Sequence, residues 1–204
     1  LDARREKLAE NLASFEELRY FHTSAYIERV ETLSNGFGGD AGELTPIGTG
    51  SFQIARLSAG GCLAAADAIM AGEVGNAYAL VRPPGHHAEP DRGRGFCVFA
   101  NNVLTVHHLK RRHGVRRVAI VDWDVHHGNS QEGAFWDDPT VLTISVHQDN
   151  YYPPQSGGVD RVGGGAGAGA NLNVPLPPGS GHGAYLECWR RVVCLFLAAK
   201  SAEA

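Results

Sequence analysis

The sequence predicts an α/β protein with a parallel sheet flanked by helices, and three observations carry that expectation. Two short apolar runs, 77–81 and 117–121, each deliver a cluster of polar residues at their far end. A helix-patterned stretch, 101–112, lies between them, and strand–helix–strand at this spacing implies a parallel βαβ unit. A further strand-like run, 140–146, and two helix-patterned segments, 52–70 and 185–197, repeat both signals. With 204 residues, 43% of them hydrophobic, the chain can bury a sizeable core and fits one domain, 1–204.

Taken in order, residues 4–19 place Leu8, Leu12, Phe15 and Leu18 near helical spacing. Residues 35–50 are glycine-rich and read as a loop. In the helix predicted for 52–70, Ile54, Leu57 and Ile69 are expected to face inward, and Gly60-Gly61 allows close packing. The run Ala77-Tyr-Ala-Leu-Val81 reads as a strand. The stretch 157–170 is dominated by glycine and reads as a surface loop. In 185–197, Leu186, Trp189, Val193 and Phe196 share one face.

Composition excludes several classes. The net charge of −4 argues against a nucleic-acid-binding surface, and Lys110-Arg-Arg-His113 reads as a solvated helix end. No run of roughly 18 apolar residues suggests a membrane span, and the charged start Leu1-Asp-Ala-Arg-Arg lacks a signal core. Cys62, Cys97, Cys188 and Cys194 show no Cys-x-x-Cys spacing, so buried free thiols in a reducing cytoplasm are expected. The chain lacks an initiator methionine and stops abruptly at Ala204, so a piece of a longer protein is expected.

The chemistry is concentrated at the ends of the two predicted strands. Val121-Asp-Trp-Asp-Val-His-His-Gly-Asn129 begins as a strand expected to be buried on both faces. Period-2 alternation puts Asp122, Asp124 and His126 on one side of an extended chain, and carboxylate with imidazole is a donor set that Zn²⁺ accepts. Upstream, Arg82-Pro-Pro-Gly-His-His-Ala88 sets two adjacent histidines, His86 and His87, on a rigid turn. In an open α/β sheet such groups gather at the carboxyl ends of strands, so one composite site is expected.

These residues make the chain resemble the zinc-dependent histone deacetylase superfamily, and in particular its class II-type bacterial histone deacetylase-like amidohydrolases. The likeness runs through Arg56–Gly61, Ala79–Ala88, Gly95–Phe99, Val118–Asn129, Val141–Gln148 and Asn173–Gly181, roughly residues 20 to 197. It implies an arginase/deacetylase-like three-layer fold, truncated here. It also implies an enzyme, a metal-dependent amidohydrolase acting on acetyl-lysine or another acylated amine, acetylated polyamine included. Asp124 and His126 match two of three zinc ligands, and His86 and His87 the tandem catalytic histidines. Asp122 matches the carboxylate that orients the first histidine, and Asn129 stands where this class has the partner of the second. Phe96 and Tyr152 match the aromatic walls of the acyl channel, and the Gly95 carbonyl faces the substrate amide. A structural K⁺ is implied at Asp122, Ser145 and Val146, with backbone oxygens of Asp124 and His126. His127 is not a family zinc ligand.

An ionised aspartate stabilises imidazolium whereas a neutral asparagine does not, so His87 is the expected base and His86 an electrostatic element. Two departures stand out. The third zinc ligand and the tyrosine (or histidine) that steadies the transition state lie later in the family than this chain extends. The chain alone is therefore expected to hold zinc weakly and to lack turnover. Ser130 replaces the glycine usual after His-His-Gly-Asn and is tolerated if the backbone there is helical. A non-catalytic acyl-lysine-binding module and an arginase-like ureohydrolase with two manganese ions are the rival readings. The tandem histidines and Asn129 argue against the second.

Overall fold

A computed structural model describes residues 11–202, which fall into two compact units divided between Arg116 and Arg117. Residues 4–10 of the helix expected at the start, Leu8 among them, lie outside the described residues.

In the first unit, helix α1 (Phe15–Leu18) is one turn long. Ser14 caps it reciprocally with Glu17: the Glu17 amide donates to Ser14 Oγ at 3.1 Å, and the Ser14 amide to the Glu17 carboxylate at 2.7 Å. Within the described residues the expected helix is this single turn, which Ser14 starts and Arg19 ends. Helix α2 (Ser24–Asn35) starts on Thr23, whose hydroxyl accepts from the Tyr26 amide at 3.2 Å. The glycine-rich loop carries three two-residue strands: β1 (Gly39–Asp40), β2 (Gly42–Glu43) and β3 (Pro46–Ile47). β1 pairs antiparallel with β3, and β2 pairs parallel with β4 (Gly93–Arg94).

Helix α3 (Ser51–Met70) packs against α4 (Asn101–His113). Its inward face corrects the sequence expectation: Ile54 and Ile69 are exposed, and Phe52, Ala55, Ala59, Leu63 and Ala66 are buried instead. Small residues win this face because they admit close neighbours. Chain 11–13 crosses at Gly60, where any Cβ would collide with the Asn11 carbonyl oxygen. The core joins Leu18, Tyr26, Ile27, Val30, Phe52, Phe99 and Leu104. Within it Tyr26 donates its hydroxyl to the Val98 carbonyl at 2.7 Å.

The strand expected at 77–81 does not form. The segment has no regular secondary structure and no strand partner among the described residues, and Tyr78 and Leu80 are 87% and 86% exposed. A strand exists only by pairing, and a single-segment apolar pattern cannot show whether a partner is there.

The second unit is a three-stranded parallel sheet in the order β5–β6–β7: β5 (Val118–Asp122), β6 (Val141–Gln148) and β7 (Asn171–Leu176). The central strand β6 is almost wholly buried, as its apolar run predicts. β5 is an edge strand with Ala119 exposed, which corrects the expectation of burial on both faces. A short helix, α5 (Asn129–Ala134), follows β5. After β7, α6 (His182–Cys188) runs through one π-helical turn (Trp189–Val193) into α7 (Cys194–Ala202). The π turn rotates the later residues relative to an ideal helix. Cys188, Trp189, Val193 and Phe196 meet Ile144 and Val146 of the sheet, whereas Leu186, expected on the same face, is exposed. Cys97 and Cys188 are buried and Cys194 is exposed, against the expectation for that thiol. No described helix is long and apolar enough to cross a membrane.

His22 gives the first unit a pH dependence. It is 3% exposed, and its Nε2 accepts the Ala100 amide at 2.9 Å. Burial lowers its pKa from 6.5 to about 4. The unfolded chain therefore binds this proton below pH 6.5 while the native chain resists until about 4. Stability is complete above pH 6.5 and falls through that window, by on the order of 3 kcal/mol at most. Urea midpoints measured between pH 7 and 4 are expected to decline accordingly, with a shallower slope in His22→Gln.

Candidate active site

The first unit carries the tandem histidines. The Pro83 carbonyl accepts from Ser58 Oγ of α3 at 2.7 Å and from Asn101 Nδ2 of α4 at 3.2 Å, so the turn is tied to both helices. Gly85 sits against the Phe99 carbonyl and the Asn101 amide, where a Cβ would collide with backbone. Its carbonyl accepts the Ala88 amide at 3.3 Å, closing a four-residue turn with His86 and His87 at the centre. Their rings lie 3.9 Å apart at 33°. His87 is buried and His86 half-buried. The histidines are thus positioned by a pinned turn rather than by a strand end.

Gly95 and Phe96 form the tip of a tight turn between Arg94 and Cys97. The Gly95 amide donates to the Glu43 carbonyl and the Phe96 amide to the Leu44 carbonyl, both at 3.0 Å. Phe96 has φ of 67° and is 67% exposed. A left-handed conformation costs a non-glycine residue about 1–2 kcal/mol. An exposed aromatic ring held in such a conformation by backbone bonds is a feature of binding sites rather than of packing.

The second unit carries Asp122, Asp124 and His126. After β5 the chain does not stay extended, which corrects the alternation argument. Instead the Asp124 amide donates to Asp122 Oδ1 at 3.0 Å, and the His126 amide to Asp124 Oδ1 at 2.8 Å. These successive Asx turns still bring the two side chains together, with His126 Nδ1 3.0 Å from Asp124 Oδ1. Asp124 is about half exposed and His126 a third exposed. The His126 ring stacks on Tyr151 (5.0 Å, 27°) and meets Tyr152 edge-on (5.8 Å, 85°). The family resemblance singled out Tyr152 but not Tyr151, its neighbour, which also contacts His126.

Asp122 is the strand partner of Ser145. Ser145 Oγ accepts the Gly128 amide at 3.2 Å and lies 2.9 Å from His147 Nδ1, while Val146 is buried. Asn129 is the first residue of α5, and Ser130 is helical and buried, as a side chain there requires.

Sequence reasoning missed the polar network behind this surface. His127 is buried, with Nδ1 3.0 Å from Ser156 Oγ, Nε2 3.3 Å from Glu132 and its ring against His147. Glu132, 5% exposed, accepts from Asn171 (2.9 Å), Asn173 (2.6 Å) and Arg161 (2.5 Å). Burial opposes its ionisation, but the bonds from His127, Asn173 and Arg161 outweigh it and bring its pKa to about 2. Burial and the nearby His127 lower the pKa of His147. The missed signal was Gln131-Glu132 directly behind the motif, facing Asn171-Leu-Asn173 three segments later. A cavity of about 510 Å³ opens at the other, amino-terminal ends of β5 and β6, beside Arg117, Pro139 and Lys200. It lies away from the histidines and carboxylates of the motif.

A carboxylate–imidazole pair at the carboxyl end of a parallel strand is a donor set that a divalent metal accepts. Comparison with known proteins makes the class specific. The model of the histone deacetylase domain family matches residues 1–200. A histone deacetylase-like amidohydrolase of Pseudomonas aeruginosa is 50% identical over 181 residues, 89% of this chain and 48% of that protein. A polyamine deacetylase of Rattus norvegicus is 42% identical over 75% of this chain and 28% of its own. Among solved structures, the HDA15 HD domain matches 93% of this chain and 56% of its own, with a TM-score of 0.86 at 36% identity. An acetylpolyamine aminohydrolase from Burkholderia pseudomallei gives 0.84 at 29% identity, over 92% of this chain and 64% of that one.

The chain belongs to the histone deacetylase family and has its α/β fold. It spans about half the length of the Pseudomonas aeruginosa amidohydrolase.

The Glu132 network generates a prediction. Glu132→Ala removes the acceptor that His127, Asn171, Asn173 and Arg161 share, leaving buried donors unpaired. The expected loss is about 3–5 kcal/mol, read as a lowered urea midpoint. A change within about 0.5 kcal/mol, the range of ordinary surface substitutions, would refute the role given to this carboxylate.

Proposed function

We propose that this chain carries the acid–base histidines and two of the zinc donors of an amidohydrolase that cleaves acetyl-lysine or a related acylated amine. The observation that carries the reading is the 3.0 Å approach of Asp124 Oδ1 and His126 Nδ1 at the carboxyl end of β5. Donors at 2.0–2.2 Å from a tetrahedral zinc stand roughly 3.3 Å apart, so the pair fits the ion with a shift of a few tenths of an ångström. Bound there, zinc would polarise the acyl carbonyl and acidify the attacking water.

The remaining work falls to side chains. His87, buried and rigidly turned, takes the proton of the attacking water as general base. His86 returns a proton to the leaving amine and stabilises negative charge that develops in the transition state. Asp122 and Asn129 are proposed to orient the first and second histidine, fixing their tautomers. Phe96 and Tyr152 clamp the aliphatic part of the acylated side chain, and the Gly95 carbonyl accepts the substrate amide. The exposure and backbone strain of Phe96 support that role. A K⁺ at Asp122, Ser145 and Val146, with the backbone of Asp124 and His126, is supported by the pairing of Asp122 with Ser145 across β5 and β6. The names of the polyamine deacetylase and the acetylpolyamine aminohydrolase support acetylated polyamines as substrates beside acetyl-lysine. Buried Cys97 and Cys188 fit a reducing cytoplasm.

Two measurements test this reading. In an active protein that contains this chain, His87→Ala lowers kcat on a fluorogenic acetyl-lysine amide by roughly 10²–10⁴-fold; a near-normal rate removes His87 as base. In the 204-residue chain, Asp124→Ala reduces zinc uptake in equilibrium dialysis. Uptake unchanged from the parent chain would contradict the ligand assignment.

A further inference from the structure

We propose a second metal site, remote in sequence from the deacetylase motifs, in which Asp67 of α3 and His108 and His113 of α4 bind a nitrogen-seeking divalent cation of the Zn²⁺ class. Asp67 Oδ1 lies 2.7 Å from His108 Nε2 and 2.6 Å from His113 Nε2. All three donor atoms fall within 4.8 Å of one another. Imidazole, imidazole and carboxylate is a set that Zn²⁺ accepts in sites that keep one position open. Asp67 is about half exposed and His113 a quarter exposed, so water reaches that position.

The arrangement behind the cluster is an independent observation. His108 is 2% exposed, and its other ring nitrogen, Nδ1, has no hydrogen-bond partner among the described residues. Glu17 Oε1 lies 3.6 Å from it. A buried imidazole with one nitrogen toward the cluster and the other toward a carboxylate has the carboxylate–histidine–metal geometry that orients a ligand and raises its basicity. A mere hydrogen-bonded His–Asp pair does not require Glu17 there.

Binding through Nε2 leaves the ring proton of each histidine on Nδ1, which in His108 is the nitrogen that faces Glu17. Ligand atoms in a tetrahedral zinc site stand roughly 3.3 Å apart, so each N···O separation must widen by about 0.6 Å. Asp67 has the solvent-side freedom to do this. Arg111, on the same helix end, is drawn away over the Tyr20 ring at 4.5 Å and leaves the cluster accessible to a cation. The ion would clip the carboxyl-terminal end of α3 to that of α4.

The experiment separates this site from the deacetylase motif. The chain carrying Asp124→Ala and His126→Ala is dialysed against Zn²⁺ and assayed for bound metal. It is then loaded with Co²⁺, whose visible absorption reports low-symmetry nitrogen/oxygen ligation. One bound equivalent is expected. Adding His113→Ala or Asp67→Ala should abolish both uptake and the cobalt bands. Glu17→Gln should weaken affinity by about 10–100-fold, an effect a purely structural role would not produce. Zn²⁺ should also raise Tm of the double variant but not of its His113→Ala derivative. The proposal is overturned if the folded double variant retains no metal, or if uptake and cobalt spectrum survive His113→Ala and Asp67→Ala. Should the double variant lose its helical circular dichroism, the comparison is made in the parent chain. There His113→Ala, at the exposed end of α4, must remove one bound equivalent, and equal stoichiometry overturns the site.

Discussion

Asp122 ends β5 with both carboxylate oxygens engaged: Oδ1 accepts the Asp124 amide at 3.0 Å, and Oδ2 accepts Gln131 Nε2 at 2.6 Å. The first bond folds the chain back immediately after the strand, and the second ties that fold to α5. Everything the motif presents depends on this side chain. The turn it starts is repeated by Asp124 onto the His126 amide, and the repetition sets Asp124 Oδ1 beside His126 Nδ1. A strand continuing in extended form would carry the same residues outward along one face and leave their donors several ångströms further apart.

A second carboxylate supports the first from behind. Glu132 is an anion in the interior, and an isolated buried charge is unfavourable unless its lone pairs are filled. Here they are filled by Asn171 and Asn173 on β7 and by Arg161 of the glycine-rich loop, with His127 Nε2 3.3 Å away beside the motif. The loop and the edge strand are therefore fixed to the site by the need to satisfy one group. The glycines of that loop do not make it a mere linker. Gly157 lies against the His147 ring, and its carbonyl sits 3.1 Å from His147 Nε2.

Much of this was legible in the sequence, and the boundary between what was and what was not has physical causes. The central strand β6 and the helices 51–70 and 101–113 follow from apolar runs and periodicity, which are local. The tandem histidines, Asp122, Asp124 and His126 follow from their spacing and from the family likeness. Three kinds of feature escaped. The state of 77–81 depends on whether a partner strand is present, which no single segment records. The inward face of α3 was set by the crossing at Gly60 rather than by its largest apolar residues, so Ile54 and Ile69 ended outside. The π turn at 189–193 changed which side chains share a face, and Leu186 left the core as a result. The Glu132 network and the Asp67–His108–His113 cluster join residues far apart in the chain, and only the folded backbone brings them together.

The central claim is that Asp124 and His126 are metal donors positioned by Asp122. The most direct measurement is ¹¹³Cd nuclear magnetic resonance of the chain loaded with cadmium. The account predicts a resonance in the nitrogen/oxygen-ligand range that vanishes in Asp124→Ala and in His126→Ala. It should shift in Asp122→Asn, where the carboxylate that starts the turn is lost, and stay in place in His113→Ala. A spectrum in which no resonance responds to Asp124 or His126 would contradict it.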